Sequence, residues 1–324
     1  MRVLVTGGAG YIGSVITEEL LKAGNFVVVY DSLEHGHIQA VSSQATFVCG
    51  HTSDRMRLAQ TLAAHQIEAV IHMAAFIEVN KSVSDPDVYF QNNVSGSLSV
   101  IQAMHDAGVK KIVFSSTAAL YGDPQKLPIQ EQDLAAPTNP YGVTKLMTEE
   151  MLRWCADAFQ FTATSLRYFN AAGASDLYGE MHEPETHLIP LALRAALQGK
   201  PFYIFGTDYP TRDGSAERDY IHVRDLAQAH IVALQRTDPG LKIYNVGVGR
   251  GSTIREVIAS VERITGRTLQ IIESPRRAGD QVATIADSRK IQAELGWKPA
   301  FPELDDIIES AWKWLMNHPN GYAR

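Results

Sequence analysis

The sequence predicts an α/β fold: a doubly wound parallel sheet in the first half, followed by a smaller C-terminal lobe. Two observations carry this expectation. Short β-branched or aromatic runs without polar alternation alternate with helical segments, as strands buried on both faces do. The strand–helix rhythm then repeats often enough to imply crossover connections and helices on both faces of one sheet.

The expected strands are "RVLVT" (2–6), "FVVVY" (26–30), "ATFV" (45–48), "EAVIHMA" (68–74), "KIVFSS" (111–116) and "ATSLRYF" (163–169). Helical patterns fill 12–23, 54–65, 86–107 and 140–159. After Ala172 the rhythm breaks. The polar stretch "GASDLYGEMHEPET" (173–186) reads as a loop or lid. A helix near 187–198, the strand "FYIF" (202–205) and the turn-rich "GTDYPTRDGSAERD" (206–219) follow. A helix over 223–235, the strand "KIYNVG" (242–247) and helices near 253–264 and 303–317 complete the pass. The division expected is a dinucleotide-binding domain over 1–172, with returning segments near 220–247, and a substrate lobe over 173–324.

Composition narrows the function classes. The chain has 324 residues, 45% hydrophobic and 20% charged, the balance of a globular protein with a sizeable core. A net charge of −7 argues against nucleic acid or an anionic membrane as partner. Cys49 and Cys155 are too few for a disulfide framework, so a reducing, cytoplasmic compartment is expected. No signal-peptide pattern precedes "VLVT", and no apolar run approaches the ~20 residues of a membrane helix.

"VTGGAGYIGS" joins the first strand to the first helix. Gly7, Gly10 and Gly13 form G-x-x-G-x-x-G, and Gly8, Gly10 and Gly13 form G-x-G-x-x-G. Glycine permits the tight turn and lets backbone N–H groups approach a pyrophosphate at the helix N-terminus. The next strand ends in Asp31, close to the spacing expected of a ribose-binding acid. The unit therefore reads as Rossmann-type, and the carboxylate selects NAD by repelling the 2′-phosphate of NADP. The plainer reading of Asp31 is a solvated loop residue.

"NPYGVTK" (139–145) supplies the chemistry. Asn139 is a good N-cap and Pro140 suits the first helical position. Tyr141 and Lys145 then stand at i and i+4 on one face. An ammonium and the positive nicotinamide ring both favour phenolate over a phenol of pKa about 10, making a general base beside a hydride acceptor. The same spacing also describes a surface Tyr–Lys pair. "FSSTAALYG" (114–122) sits at the carboxyl end of the fifth strand, where such sheets bind ligands. Thr117 can lend its hydroxyl to the substrate oxygen that Tyr141 deprotonates, whereas Ser115 and Ser116 also fit ordinary turn chemistry.

With these segments the chain resembles the extended short-chain dehydrogenase/reductase family, and within it the branch that epimerises carbon 4 of UDP-hexoses. Besides the motifs above, "HMAAFIEVNKSV", "NNVSGSL", "LRYFNAAGA", "FGTDYPTRDGSAERDYIHVRDLAQAH", "IYNVGVGRG" and "PRRAGD" carry the likeness across nearly the whole chain. The resemblance implies that Tyr141 is the base, that Lys145 holds the nicotinamide ribose and tunes Tyr141, and that Thr117 completes the triad. It implies that Gly7, Gly10, Tyr11, Ile12, Gly13, Asp31, Thr52, Asn92 and Tyr168 line the NAD site. It places Asn170, Leu188, Phe205, Arg218, Arg277 and Asp280 about the UDP-sugar, where guanidinium groups match phosphate oxygens. The implied partners are a UDP-sugar and a second copy of the chain, docked through helices near 86–107 and 144–159.

Two positions depart from the family pattern. His51, in "CGHTSD", stands where an acid usually contacts adenine, and Met73 stands where Phe is common. The histidines, His72 and His222 among them, form no metal-ligand spacing, so no metal is expected. The rival chemistry of a 4,6-dehydratase needs an acid and a base beside the threonine, yet Ala118 and Ala119 follow Thr117. An NAD-sensing protein on the same fold has no need of Thr117, Tyr141 and Lys145 together. Thr284, four residues after Asp280, falls where the family borders carbon 2 of the sugar. A bulky tyrosine there closes the pocket to an N-acetyl group, and threonine leaves room.

Overall fold

The computed structural model describes residues 1–277 and 281–322. Its centre is a seven-stranded sheet in which every neighbouring pair runs parallel. Six strands come in chain order: β1 (Arg2–Thr6), β2 (Phe26–Asp31), β3 (Thr46–Cys49), β4 (Ala69–His72), β5 (Lys111–Thr117) and β6 (Thr162–Tyr168). Beyond them lie β7 (Asn170–Ala172), β8 (Phe202–Phe205), β9 (Glu217–His222) and β10 (Gly240–Val246), which returns to the sheet edge beside β6. The order is β3-β2-β1-β4-β5-β6-β10. It reverses between β1 and β4, and ligands bind in the crevice at such a reversal.

Alternate residues of one strand feed two separate cores, which is why these runs lack polar alternation. Val3 and Val5 point to a core with Val15, Ile16 and Leu20 of helix Tyr11–Lys22 and Leu226 and Ala229 of helix Val223–Ala233. Leu4 points the other way, with Val70 and Phe114, onto Leu58, Leu62, Ile101, Met104 and Leu152. Each fully buried aliphatic side chain contributes roughly 1.5–3 kcal/mol to that packing.

The remaining strands form two small sheets. β9 pairs with β7, with β11 (Gly251–Thr253) and with β13 (Ala283–Thr284), while β12 (Ile271–Ser274) pairs with β8. Helices Leu188–Gln198, Ile254–Thr265 and Leu304–Asn317 pack a third core against them through Ile189, Leu193, Val257, Val261 and Ile308. No helix among the described residues is long and apolar enough to cross a membrane.

Two expectations are corrected. The helix over 86–107 is not regular: it runs as Pro86–Tyr89, a π-helical stretch Phe90–Ser95 and Gly96–Asp106, and a separate short helix, Val79–Ser84, precedes it. The cause is long-range. The Asn93 side chain accepts from Phe76 N–H at 2.8 Å and donates to Phe76 C=O at 3.1 Å and Thr144 Oγ1 at 3.1 Å. Widened turns of this kind gather at functional sites. The turn-rich run 206–219 ends inside β9, and β7, β11, β12 and β13 are too short to show a period.

Candidate active site

One cleft of about 460 Å³ opens at the carboxyl ends of β1, β4 and β5. Gly7, Gly10, Tyr11, Ile12, Gly13 and Asp31 line it from the first βα unit. Gly7 has φ +69°, and a Cβ there would lie 2.6 Å from Ala74 N, so only glycine lets β1 and β4 approach. A Cβ on Gly13 would strike the Gly7 carbonyl. The turn therefore leaves a bare backbone floor before helix Tyr11–Lys22, a fit for a pyrophosphate. Asp31 accepts from Ala9 N–H at 3.0 Å and Leu33 N–H at 2.9 Å. Burial pushes its carboxyl up, and those two N–H groups oppose the shift.

Thr52, Asn92 and Tyr168 also line the cleft. His51 lies there too, with Nδ1 2.7 Å from Ser53 Oγ and Nε2 3.5 Å from Glu34. The Tyr168 hydroxyl meets His230 Nε2 in a short hydrogen bond and lies 3.6 Å from Met73 Sδ, so Met73 packs on a cleft residue. His72 is no ligand candidate: its ring nitrogens meet Thr6 Oγ1 at 2.7 Å and Ser97 Oγ at 2.9 Å, and burial pulls it down to about 3.

Thr117 and Tyr141 line the same cleft. The Asn139 side chain accepts from Gly142 N–H at 2.9 Å and, with Pro140, starts the helix Pro140–Phe159 that aims Tyr141 inward. Burial raises the Tyr141 phenol to about 12, opposed by its hydrogen bond with Thr117. Lys145 does not line the cleft. It lies behind Tyr141, its Nζ donating to Ser115 C=O at 2.7 Å and sitting 5.9 Å from the Tyr141 ring centre. Burial pulls it down to about 7, with Glu149 opposing. Glu149 itself accepts from Ser116, Ser165 and Arg167 in a buried network.

From the smaller sheet, Asn170 of β7, Arg218 of β9 and Thr284 of β13 line the cleft, with Arg218 and Thr284 side by side in register. Leu188 begins helix Leu188–Gln198 and lies outside the lining, next to His187, which is part of it. Phe205 and Arg277 also stay outside the lining. They stack on each other, guanidinium 4.4 Å from the ring centre. Asp280 lies outside the described residues.

The same cleft borders a group that sequence reasoning passed over. Glu180, His182, Glu185 and His187 bring one ligand atom each within 4.8 Å of all the others. The signal was present as E-x-H-x-x-E-x-H, running from the stretch read as a loop or lid to the first residue of the helix expected near 187–198.

Residues 3–247 match the NAD dependent epimerase/dehydratase family. The chain is 48% identical to a UDP-glucose 4-epimerase of Halalkalibacterium halodurans, covering 100% of this chain and 98% of that one. It superposes on UDP-glucose 4-epimerase from Brucella ovis in complex with NAD with a TM-score of 0.93 at 43% identity, over 96% and 97% of the two chains. It superposes on a UDP-Glc/GlcNAc 4-epimerase from Campylobacter jejuni with a TM-score of 0.85 at 36% identity, over 98% and 99%.

Proposed function

The chain belongs to the NAD dependent epimerase/dehydratase family, and from that premise we propose that it is an isomerase inverting carbon 4 of a UDP-hexose, UDP-galactose to UDP-glucose. The observation that carries this is that Thr117 and Tyr141 line one cleft with the bare glycine turn, with Lys145 directly behind Tyr141. Asp31 lies in that floor and selects NAD over NADP. NAD, when bound, accepts and returns the hydride at carbon 4.

Every other step falls to the chain itself. Tyr141 removes the proton of the 4-hydroxyl and later returns it. Thr117 holds the same oxygen. Lys145 stabilises the phenolate from behind and fixes the ribose of the cofactor. Arg218, Asn170 and Thr284 face the nucleotide-sugar from the smaller sheet. Leu188, Phe205 and Arg277 are assigned to that end of the substrate, with Asp280 following Arg277 in sequence. Ala118 and Ala119 supply no proton to an elimination.

Similarity to the Campylobacter enzyme supports a second reading, in which N-acetylhexosamines are also accepted. The chain is proposed to act as a homodimer in the reducing cytoplasm, in galactose metabolism. The exposed apolar residues Val88, Leu98, Met147 and Trp154 on the helices near 86–107 and 144–159 support the dimer. The free thiols of Cys49 and Cys155 fit the compartment.

The test is incubation of the purified enzyme with UDP-galactose without added cofactor. Conversion to UDP-glucose is expected. A 4-keto-6-deoxy product, or binding with no product, would overturn the reading.

A further inference from the structure

Glu180, His182, Glu185 and His187 lie on one short connection, and the fold brings one ligand atom of each within 4.8 Å of the others. His182 Nδ1 is 3.3 Å from Glu180 Oε1 and 3.8 Å from Glu185 Oε2. His187 Nδ1 is 2.9 Å from Glu180 Oε1 and 3.1 Å from Glu185 Oε1. A tetrahedral ion with bonds of ~2.0–2.2 Å spaces its ligands about 3.3–3.6 Å apart; the two imidazole nitrogens lie 2.9 and 3.3 Å from Glu180 Oε1 and 3.1 and 3.8 Å from the two Glu185 oxygens, close to that edge.

A second observation points to a ligand. Glu185 Oε2 and His182 Nδ1 are both sealed from solvent and both lack a partner at hydrogen-bonding geometry. The Glu185 side chain is only 2% exposed and Glu180 only 8%. A sealed carboxylate oxygen whose nearest imidazole nitrogen is 3.8 Å away, beyond hydrogen-bond reach, has its desolvation only partly offset. The two orphan atoms lie 3.8 Å apart, and one ligand atom of each of the other two residues lies within 4.8 Å of them. His187 adds a local sign. It occupies the N-cap position of helix Leu188–Gln198, yet its side chain makes no cap hydrogen bond and is spent on the cluster.

We infer that Glu180, His182, Glu185 and His187 bind one divalent cation of the zinc class. Two imidazoles with two carboxylates suit zinc, cobalt or nickel; magnesium and calcium take all-oxygen sets. Four protein ligands leave no open position, so the ion is structural and takes no part in the hydride chemistry. Binding releases the Nδ1 protons of both imidazoles, because only the neutral ring offers a lone pair. The ion ties the segment after β7 to the start of helix Leu188–Gln198, and so fixes one wall of the cleft. That wall already touches the cofactor turn: the His182 ring meets the Tyr11 ring edge-on at 6.3 Å, and the Tyr11 hydroxyl donates to Gly173 C=O at 2.6 Å. His37 Nε2 reaches Met181 C=O at 3.3 Å on the same side.

The metal content of the full-length protein, purified without chelator, is measured by elemental mass spectrometry. The stripped protein is then titrated with zinc chloride against a chromophoric competitor. One zinc per chain is expected, with a rise in thermal midpoint on reloading. Cobalt(II) in place of zinc should give the strong visible bands of a tetrahedral site. Glu185→Gln and His182→Gln should each weaken zinc binding by about 100-fold or more. Wild type that fails to take up zinc stoichiometrically, or folded variants that titrate like wild type, would overturn the inference. Where a variant does not fold, the wild-type stoichiometry and cobalt spectrum decide alone.

Discussion

The ammonium of Lys145 rests 2.7 Å from the carbonyl oxygen of Ser115 and is held by that backbone dipole, while the nearby carboxylate of Glu149 is taken up by Arg167, Ser116 and Ser165. Burial therefore dominates and pulls Lys145 down to about 7, against about 10.4 in an unfolded chain. Between those values the folded protein binds fewer protons than the unfolded one, so stability of the cofactor-free protein rises with pH across that window. The full penalty applies below about 7. Urea unfolding at several pH values should show this rise in wild type and a flatter profile in Lys145→Met. Parallel profiles would show that the buried ammonium does not set the slope. Turnover by Lys145→Met should fall by ~10²–10⁴-fold with the loss of phenolate stabilisation.

Tyr141 titrates too high, at about 12, to act as a base at neutral pH without a cationic neighbour. Tyr141→Phe should lower turnover by ~10²–10⁴-fold and leave NAD bound. Thr117 pulls the phenol down, so Thr117→Val should raise it and move the acid limb of the kcat–pH profile to higher pH. More than a tenth of wild-type rate in Tyr141→Phe would remove Tyr141 from the role of base.

Asp31 is fixed by two backbone N–H groups, and so cannot swing away from a 2′-phosphate. The protein should release NAD and no NADP on denaturation, and Asp31→Ser should narrow the preference for NAD. Equal wild-type affinity for both dinucleotides would contradict the assignment.

The Tyr141–Lys145 spacing, the Asn139 cap and the glycine turn were legible because each is a local pattern with a local cause. The π-helical widening within helix 86–107 was not, since it sits where Asn93 reaches Phe76 and Thr144, residues distant in sequence. Leu188 and the stacked Phe205–Arg277 pair were named from resemblance alone, and they lie outside the cleft lining. The Glu180–His187 group spans eight residues, but its E-x-H-x-x-E-x-H spacing follows neither a helical nor a strand period, so its convergence depends on the path of the connection.

The buried Glu149–Arg167 pair behind the triad is 1% and 5% exposed. Arg167 also donates to the Tyr121 hydroxyl at 2.7 Å. Glu149→Gln leaves a guanidinium buried without its countercharge, at a cost of about 3–5 kcal/mol. Urea titration should show that loss, and Arg167→Met added to Glu149→Gln should restore part of it. A single variant as stable as wild type would mean that the network is not a stabilising unit.

Sugar size is the last property that this geometry speaks to. Thr284 pairs in register with Arg218, lines the cleft and is 5% exposed. Its side chain is short, and the strand that carries it is held on one side by β9. Replacing it with tyrosine would push a ring into the cleft that Tyr141 also lines, where the sugar must sit for Tyr141 to reach its 4-hydroxyl. An acetamide on carbon 2 competes for that room, whereas a hydroxyl there does not. Wild type is therefore expected to turn over UDP-N-acetylgalactosamine as a secondary substrate, and Thr284→Tyr to suppress that activity while sparing UDP-galactose. A hydrophobic pocket discriminates a methylene by only ~10–200-fold, so loss beyond that range in the variant would indicate outright exclusion of the larger group. The measurement is kcat/KM for both substrates in both proteins. Failure of wild type to convert the N-acetylated sugar, or equal losses of the two activities in the variant, would remove Thr284 as the residue that sets sugar size.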